Sequence, residues 1–135
     1  MARAVTIAQN AGAASVVEWA KLALRSPRAR VMRLARILFD ATDQPLALEE
    51  VVLPLERFPG LSLNDGGDVP DIIELAQRHG LALGPATERL SIVRATKDVA
   101  SHLQIASGTE VLKLNRIVET VDGAPVEWRV SFRKF

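Results

Sequence analysis

Cysteine is absent from all 135 residues, which removes disulfides, thiolate metal sites and thiol redox chemistry and fits a reducing compartment. An excess of charge of one sign is absent too. Seventeen Lys and Arg face sixteen Asp and Glu, a net charge of +1, so there is no basic field of the kind that holds a nucleic acid. No apolar run approaches the roughly 20 residues needed to cross a bilayer. Near the start, Gln9 and Asn10 interrupt the apolar run that a secretory signal requires. The expectation is a cytoplasmic chain without membrane contact. No glycine-rich phosphate loop, nucleophile elbow, zinc-ligand spacing or paired catalytic carboxylate pattern occurs. His79 and His102 show neither mutual spacing nor neighbouring acids for a metal. No catalytic residue, metal ligand or cofactor is expected, and no enzyme.

What is present is an internal repeat. VMRLARILFDATDQPLALEE (Val31 to Glu50) and VLKLNRIVETVDGAPVEWRV (Val111 to Val130) align without a gap. They are identical at Val31/Val111, Leu34/Leu114, Arg36/Arg116, Ile37/Ile117 and Pro45/Pro125, where chance gives roughly one or two matches. Each copy is an alternating run, a polar turn and a second alternating run, the sequence form of a β-hairpin. With 48% apolar and 24% charged residues, the chain reads as one globular α+β domain. Two related helix-hairpin units should share one mainly antiparallel sheet flanked by helices.

Residues 1–14 are small and mixed and read as a tail or linker remnant, so structure is expected over residues 15–135. Ser15 and Glu18 form a capping box for a helix with Val16, Trp19, Ala20 and Ala23 on one face, ended by Ser26-Pro27. Thr96 caps another, with Val99, Ala100 and Leu103 aligned and Ser107-Gly108 as its stop. Between the copies, Phe58-Pro59-Gly60 marks a loop and Asn64-Asp65-Gly66-Gly67 a turn. Asp68 and Pro70 then open a third helix that Gly80 stops. Thr87 to Ala95 alternates as a further strand.

Alternation puts Arg36 on an otherwise apolar face with Met32, Leu34 and Leu38, and Arg116 on the equivalent face with Leu112, Leu114 and Val118. A guanidinium keeps its charge, so each arginine needs an internal acid such as Glu49, Glu50 or Glu127, or an anionic ligand. In the last strand Val126, Trp128, Val130 and Phe132 should face the core. Glu127, Arg129, Ser131 and Arg133 form a polar stripe that is either solvated or lines a ligand.

From Val31 onward the chain resembles the UTRA domain, the effector-binding half of HutC-type regulators in the GntR family of bacterial transcription factors. The resemblance is carried by the Arg36 strand, the run Pro45-Leu46-Ala47-Leu48-Glu49 and Leu53-Pro54, Phe58-Pro59-Gly60-Leu61, and Gly80-Leu81. It closes with Val99-Ala100, Leu103, Gly108, Val111, Leu114, Arg116, Asp122-Gly123, Pro125-Val126-Glu127 and Ser131. It implies a chorismate-lyase-like fold with a small-molecule pocket against the sheet, a homodimer, and a small anionic effector that modulates DNA binding by an attached winged helix. Carried over by position, Arg36 is an anion-gripping arginine and Glu49 the hairpin glutamate. Glu127 and Ser131 are pocket contacts of the closing strand. Arg116 and Arg129 complete the candidate set.

Three departures stand out. Leu38 occupies the place of a frequent second arginine, the chain closes on Arg133-Lys134-Phe135 without a glycine-aspartate pair and aromatic, and no winged helix precedes Ser15. The last is expected to reflect a domain excised from a longer regulator, with DNA contacted only through the missing part. Chorismate-lyase-like chemistry and a ligand-free dimerisation module are the rival readings.

Overall fold

The computed structural model describes residues 3–61 and 71–135. Both expected hairpins form: β2 (Arg30–Phe39) with β3 (Pro45–Pro54), and β5 (Glu110–Thr120) with β6 (Pro125–Arg133). They turn alike. Asp40 N donates to Gln44 O and Thr120 N to Ala124 O, each at 2.9 Å. The third turn residue is left-handed in both, Asp43 at φ 64° and Gly123 at φ 85°, a conformation that only glycine and short polar side chains adopt readily. The repeat identities have a packing reason, since Val31 and Val111 are both fully buried beneath helices of their own unit.

Residues 3–13, expected as a tail, instead form β1 (Arg3–Ala13), antiparallel to β2. β4 (Leu83–Arg94) holds the corresponding place beside β5. The repeat unit is therefore strand, helix, hairpin. Spatial order is β1-β2-β3-β6-β5-β4 in one six-stranded sheet, and every neighbouring pair is antiparallel. β3 and β6 join the two units at the centre.

α1 (Val16–Lys21) has the expected capping box: Ser15 Oγ accepts from Glu18 N at 3.1 Å and Glu18 Oε1 from Ser15 N at 2.8 Å. Its expected apolar face is not the buried one. The helix stops at Lys21 rather than Ser26-Pro27, Val16 is 85% exposed and Trp19 is exposed, whereas Glu18 and Leu22 are buried. Six residues are too few for an apolar stripe to seat. The anchor is ionic instead: Arg33 donates through Nε at 2.7 Å and Nη2 at 2.6 Å to the Glu18 carboxylate. The Arg33 bond holds the Glu18 pKa below the usual carboxylate range, against the opposing effect of burial. Because the folded pKa is the lower one, this stabilisation is present above the unfolded value of about 4.3. It is lost as pH falls through the folded value. Glu18→Gln should therefore lower the urea midpoint at pH 7, and the gap to wild type should narrow progressively below about pH 5. A gap independent of pH would show that the charge is not what holds α1.

α3 (Lys97–Leu103) is capped by Thr96 and buries Val99, Ala100 and Leu103 as expected. It ends earlier than Ser107-Gly108, through a left-handed Gln104 at φ 56°. α1 and α3 cover one sheet face: Leu22, Leu24 and Val31 cluster with Trp128, and Leu103, Val99 and Val111 with Ile37 and Leu48. α2 (Ile72–Arg78) covers part of the other, where Ile72 and Leu75 pack on Met32, Leu34, Val51, Leu53, Phe58 and Val118. Its cap is Asp71, not Asp68. The turn expected at residues 64–67, Asp68 and Pro70 lie outside the described residues. His79 is structural: its ring lies edge-on to Phe58, and its nitrogens sit 3.0 Å from Leu75 O and 3.2 Å from Pro59 O, tying α2 to the preceding loop.

Candidate functional site

Residues directly opposed in an antiparallel sheet share a face, and the register collects charge on the α2 side. Arg36 opposes Glu49, Glu49 opposes Ser131, Arg116 opposes Arg129 and Val118 opposes Glu127. Gln9 of β1 opposes Leu34, and Glu88 of β4 opposes Arg116. All six expected site residues therefore lie on one sheet face.

Four of them form a continuous ion network. Arg36 Nη2 lies 2.5 Å from Glu49 Oε1, Arg129 Nη1 lies 3.4 Å from Glu49 Oε2, and Arg129 Nη2 lies 3.0 Å from Glu127 Oε2. Burial pulls the Arg129 pKa down, but the Glu127 and Glu49 carboxylates and Asp71 of the α2 cap outweigh it and the net direction is up. The polar stripe of β6 is thus not a solvated face at this end. Glu127 is only 2% exposed and the Arg129 side chain 16%. Arg36 takes the internal acid Glu49 that the sequence offered it. Arg116 takes Glu88 at 3.6 Å, an acid the sequence reading did not name, and Glu50 is exposed on the opposite face. Ser131 stands between the network and an apolar hollow.

The network is incomplete. Arg36 Nε, Arg116 Nε, Arg129 Nε, Glu127 Oε1 and Gln9 Oε1 are buried without a hydrogen-bond partner among the described residues. Buried polar atoms are almost always satisfied, so five such atoms on one face make it the candidate site. They comprise three cationic donors, one carboxylate oxygen and one amide oxygen. Beyond Ser131 the face opens into a hollow of about 230 Å³ lined mainly by Leu38, Ala47, Leu90, Leu112 and Leu114, with Glu49, Ser131 and Arg133 as its polar members. A larger groove of about 420 Å³ lies on the opposite face, beside α1 and floored by Ala35, Glu50, Trp128 and Val130. Its principal cation, Arg33, is already engaged by Glu18 and Ala13 O. Open hydrogen-bonding capacity, rather than volume, makes the α2 face the candidate. His102, read as having no acidic neighbour, stands 3.5 Å from Asp98 one helical turn away. No group of three or more metal-ligating side chains occurs among the described residues.

Residues 8–134 match the family model of the UTRA domain. The chain belongs to the UTRA family. Its match to YurK, an HTH-type transcriptional regulator of Bacillus subtilis, is 28% identical over 102 residues, covering 74% of this chain and 41% of YurK. To the HTH-type regulator Rv0792c of Mycobacterium tuberculosis it is 34% identical over 88 residues, 63% of this chain and 33% of that protein. This UTRA domain thus spans about two-fifths and one-third of the curated relatives it matches. Among solved structures, the C-terminal domain of YurK superposes with a TM-score of 0.83 at 24% identity, over 95% of this chain and 86% of that one. The effector domain of PhnF from Mycobacterium smegmatis gives 0.84 at 23%, over 97% and 79%. A GntR-family regulator from Enterococcus faecalis gives 0.83 at 23%, over 97% and 92%. The expected α+β, chorismate-lyase-like sheet is the fold of this UTRA domain.

Proposed function

We propose that this UTRA domain is the effector-binding and pairing half of a GntR/HutC-type bacterial transcriptional regulator. It recognises a small anionic metabolite, and DNA is read by an attached winged helix. The observation that carries this reading is the pair of buried arginine Nε atoms without a hydrogen bond at Arg36 and Arg129, on the same face as Arg116, whose own Nε comes only within 3.6 Å of Glu88. An acid group supplies what they lack through charge-assisted hydrogen bonds. Glu127 Oε1 and Gln9 Oε1 accept from an amino or hydroxyl group elsewhere on the same molecule. Ser131 sits at the mouth of the apolar hollow. Leu38, where a second arginine would strengthen a phosphate clamp, leaves that hollow suited to a carboxylate bearing hydrocarbon.

Occupancy must favour one arrangement of the domain over another to reach the DNA-binding heads. Inverting the operator-competent population takes about 5 kcal/mol of differential affinity. The regulator reading is preferred to an enzyme because YurK, itself uncharacterized, and Rv0792c are both named as HTH-type transcriptional regulators. Incubation with chorismate should therefore release no pyruvate. No helix among the described residues is long and apolar enough to cross a membrane.

The test is a thermal-shift panel of small carboxylates and phosphosugars, because a ligand of the folded state raises its stability. For a compound that raises the melting temperature, Arg36→Ala should weaken affinity by about 1.5–3 kcal/mol while the protein still folds. Unchanged affinity with a large loss of stability would make Arg36 a structural ion and refute its anchor role.

A further inference from the structure

The α2 side of the sheet is covered at only one of its ends. α2 packs over Met32, Leu34, Val51, Leu53 and Val118, and the opposite end of the same face, on β4 and β5, carries no helix of the chain among the described residues. There Leu90 opposes Leu114 and Ile92 opposes Leu112 across the β4–β5 pair. Leu90 is 62% exposed and Ile92 60%. Two adjacent apolar cross-strand pairs facing outward are unusual on a sheet that must stay soluble by itself, and a contiguous patch of this kind marks an interaction surface.

The rim identifies the occupant. One register step beyond Ile92 and Leu112 on the same face, Arg94 opposes Glu110. Both are exposed, and neither forms an ion pair among the described residues. A patch that carries one cation and one anion at its border is complementary to itself: under a twofold axis Arg94 of one copy meets Glu110 of the other, and the reverse pair forms by symmetry. A net charge of +1 per chain sets no barrier to such pairing. The patch is also continuous with the proposed effector site. Leu90, Leu112 and Leu114 wall the hollow into which Ser131 and Glu49 open, so a second copy seated on the patch borders that hollow directly.

We infer that a second copy of this chain seats on the Leu90–Ile92–Leu112–Leu114 face and closes the apolar end of the effector site. The inference rests on the pairing reading above and adds its location and its consequence. Pairing and occupancy share one wall, so each strengthens the other, as linkage requires of two events that favour a common arrangement. A dimer through β4 edge pairing or through the exposed Val16 and Val17 of α1 would leave the hollow open.

Sedimentation velocity at micromolar concentration tests this. Wild type should be a dimer. Leu90→Lys combined with Ile92→Lys should be a monomer with an unchanged circular dichroism spectrum, since both positions are exposed. Val16→Lys combined with Val17→Lys should remain a dimer. Glu110→Arg should weaken dimerisation at least 10-fold, and adding Arg94→Glu should restore it; this pair decides the matter even if the lysine variant fails to fold. A dimer that persists in the folded lysine variant, dissociates in the α1 variant or ignores the charge swap places the interface elsewhere and leaves the pairing reading standing. A monomeric wild type overturns both.

Discussion

Replacing Arg129 with methionine is expected to cost about 3–5 kcal/mol of folding stability, the range for removing one partner of a buried ion pair. Arg129 is the joint of the network, donating to Glu127 and Glu49 at once. Without it Glu49 still has Arg36, but Glu127 has no cation within 4.0 Å among the described residues and is almost wholly buried. Removing the stranded charge as well should recover most of the loss, because apolar replacements of a whole buried pair are close to neutral. Arg129→Met should thus be the least stable of three proteins in urea, below both wild type and Glu127→Met/Arg129→Met. A single variant as stable as wild type would mean that Glu127 does not depend on Arg129.

Phe58→Ala is expected to cost a similar amount, about 3–5 kcal/mol, for a different reason. Phe58 follows the short 3-10 turn at Leu55–Arg57 and is buried among Met32, Leu53, Ile72 and Leu75. Truncating it leaves a cavity between the sheet and α2 and removes the ring that His79 meets edge-on at 5.3 Å. A loss of this size should lower the melting temperature by about 10–25 °C in a domain of this length. Ile73→Ala, on the same helix but exposed, should stay within about 0.5 kcal/mol. Equal effects at the two positions would contradict the placement of α2 on this face.

The hairpins were legible because strand alternation has a period of two and the repeat supplied the turn positions twice. Assigning Arg36, Arg116, Glu127 and Ser131 to faces followed from the same period. Burial did not follow. The β6 stripe lies under cover at Glu127 because α2 and the pairing of β3 with β6 enclose it, and no local pattern encodes either. β1 was missed since its polar Gln9 and Asn10 interrupt the alternation, and at the repeat offset its residues share no identity with β4. Gln9 and its open amide oxygen were lost with it. Glu88 was missed for a related reason: the alternating run of β4 was visible, but its register against Arg116 is set by a bulge between Leu83 and Ala86. In α1 the apolar spacing pointed to Val16 and Trp19, whereas the Glu18–Arg33 pair turned the helix the other way. Helical periodicity over six residues cannot compete with an ion pair anchored to the sheet.

The central claim is that the α2 face of this UTRA domain, not the larger groove on the opposite face, receives the effector. A crystal structure of the protein soaked with the strongest stabiliser from the thermal-shift panel tests it most directly. The account predicts ligand density within hydrogen-bond distance of Arg36 Nε or Arg129 Nε and of Glu127 Oε1, with the apolar part directed toward Leu38 and Leu114. Density in the groove between Glu50 and Trp128, with the Arg36–Glu49–Arg129–Glu127 network untouched, would contradict it.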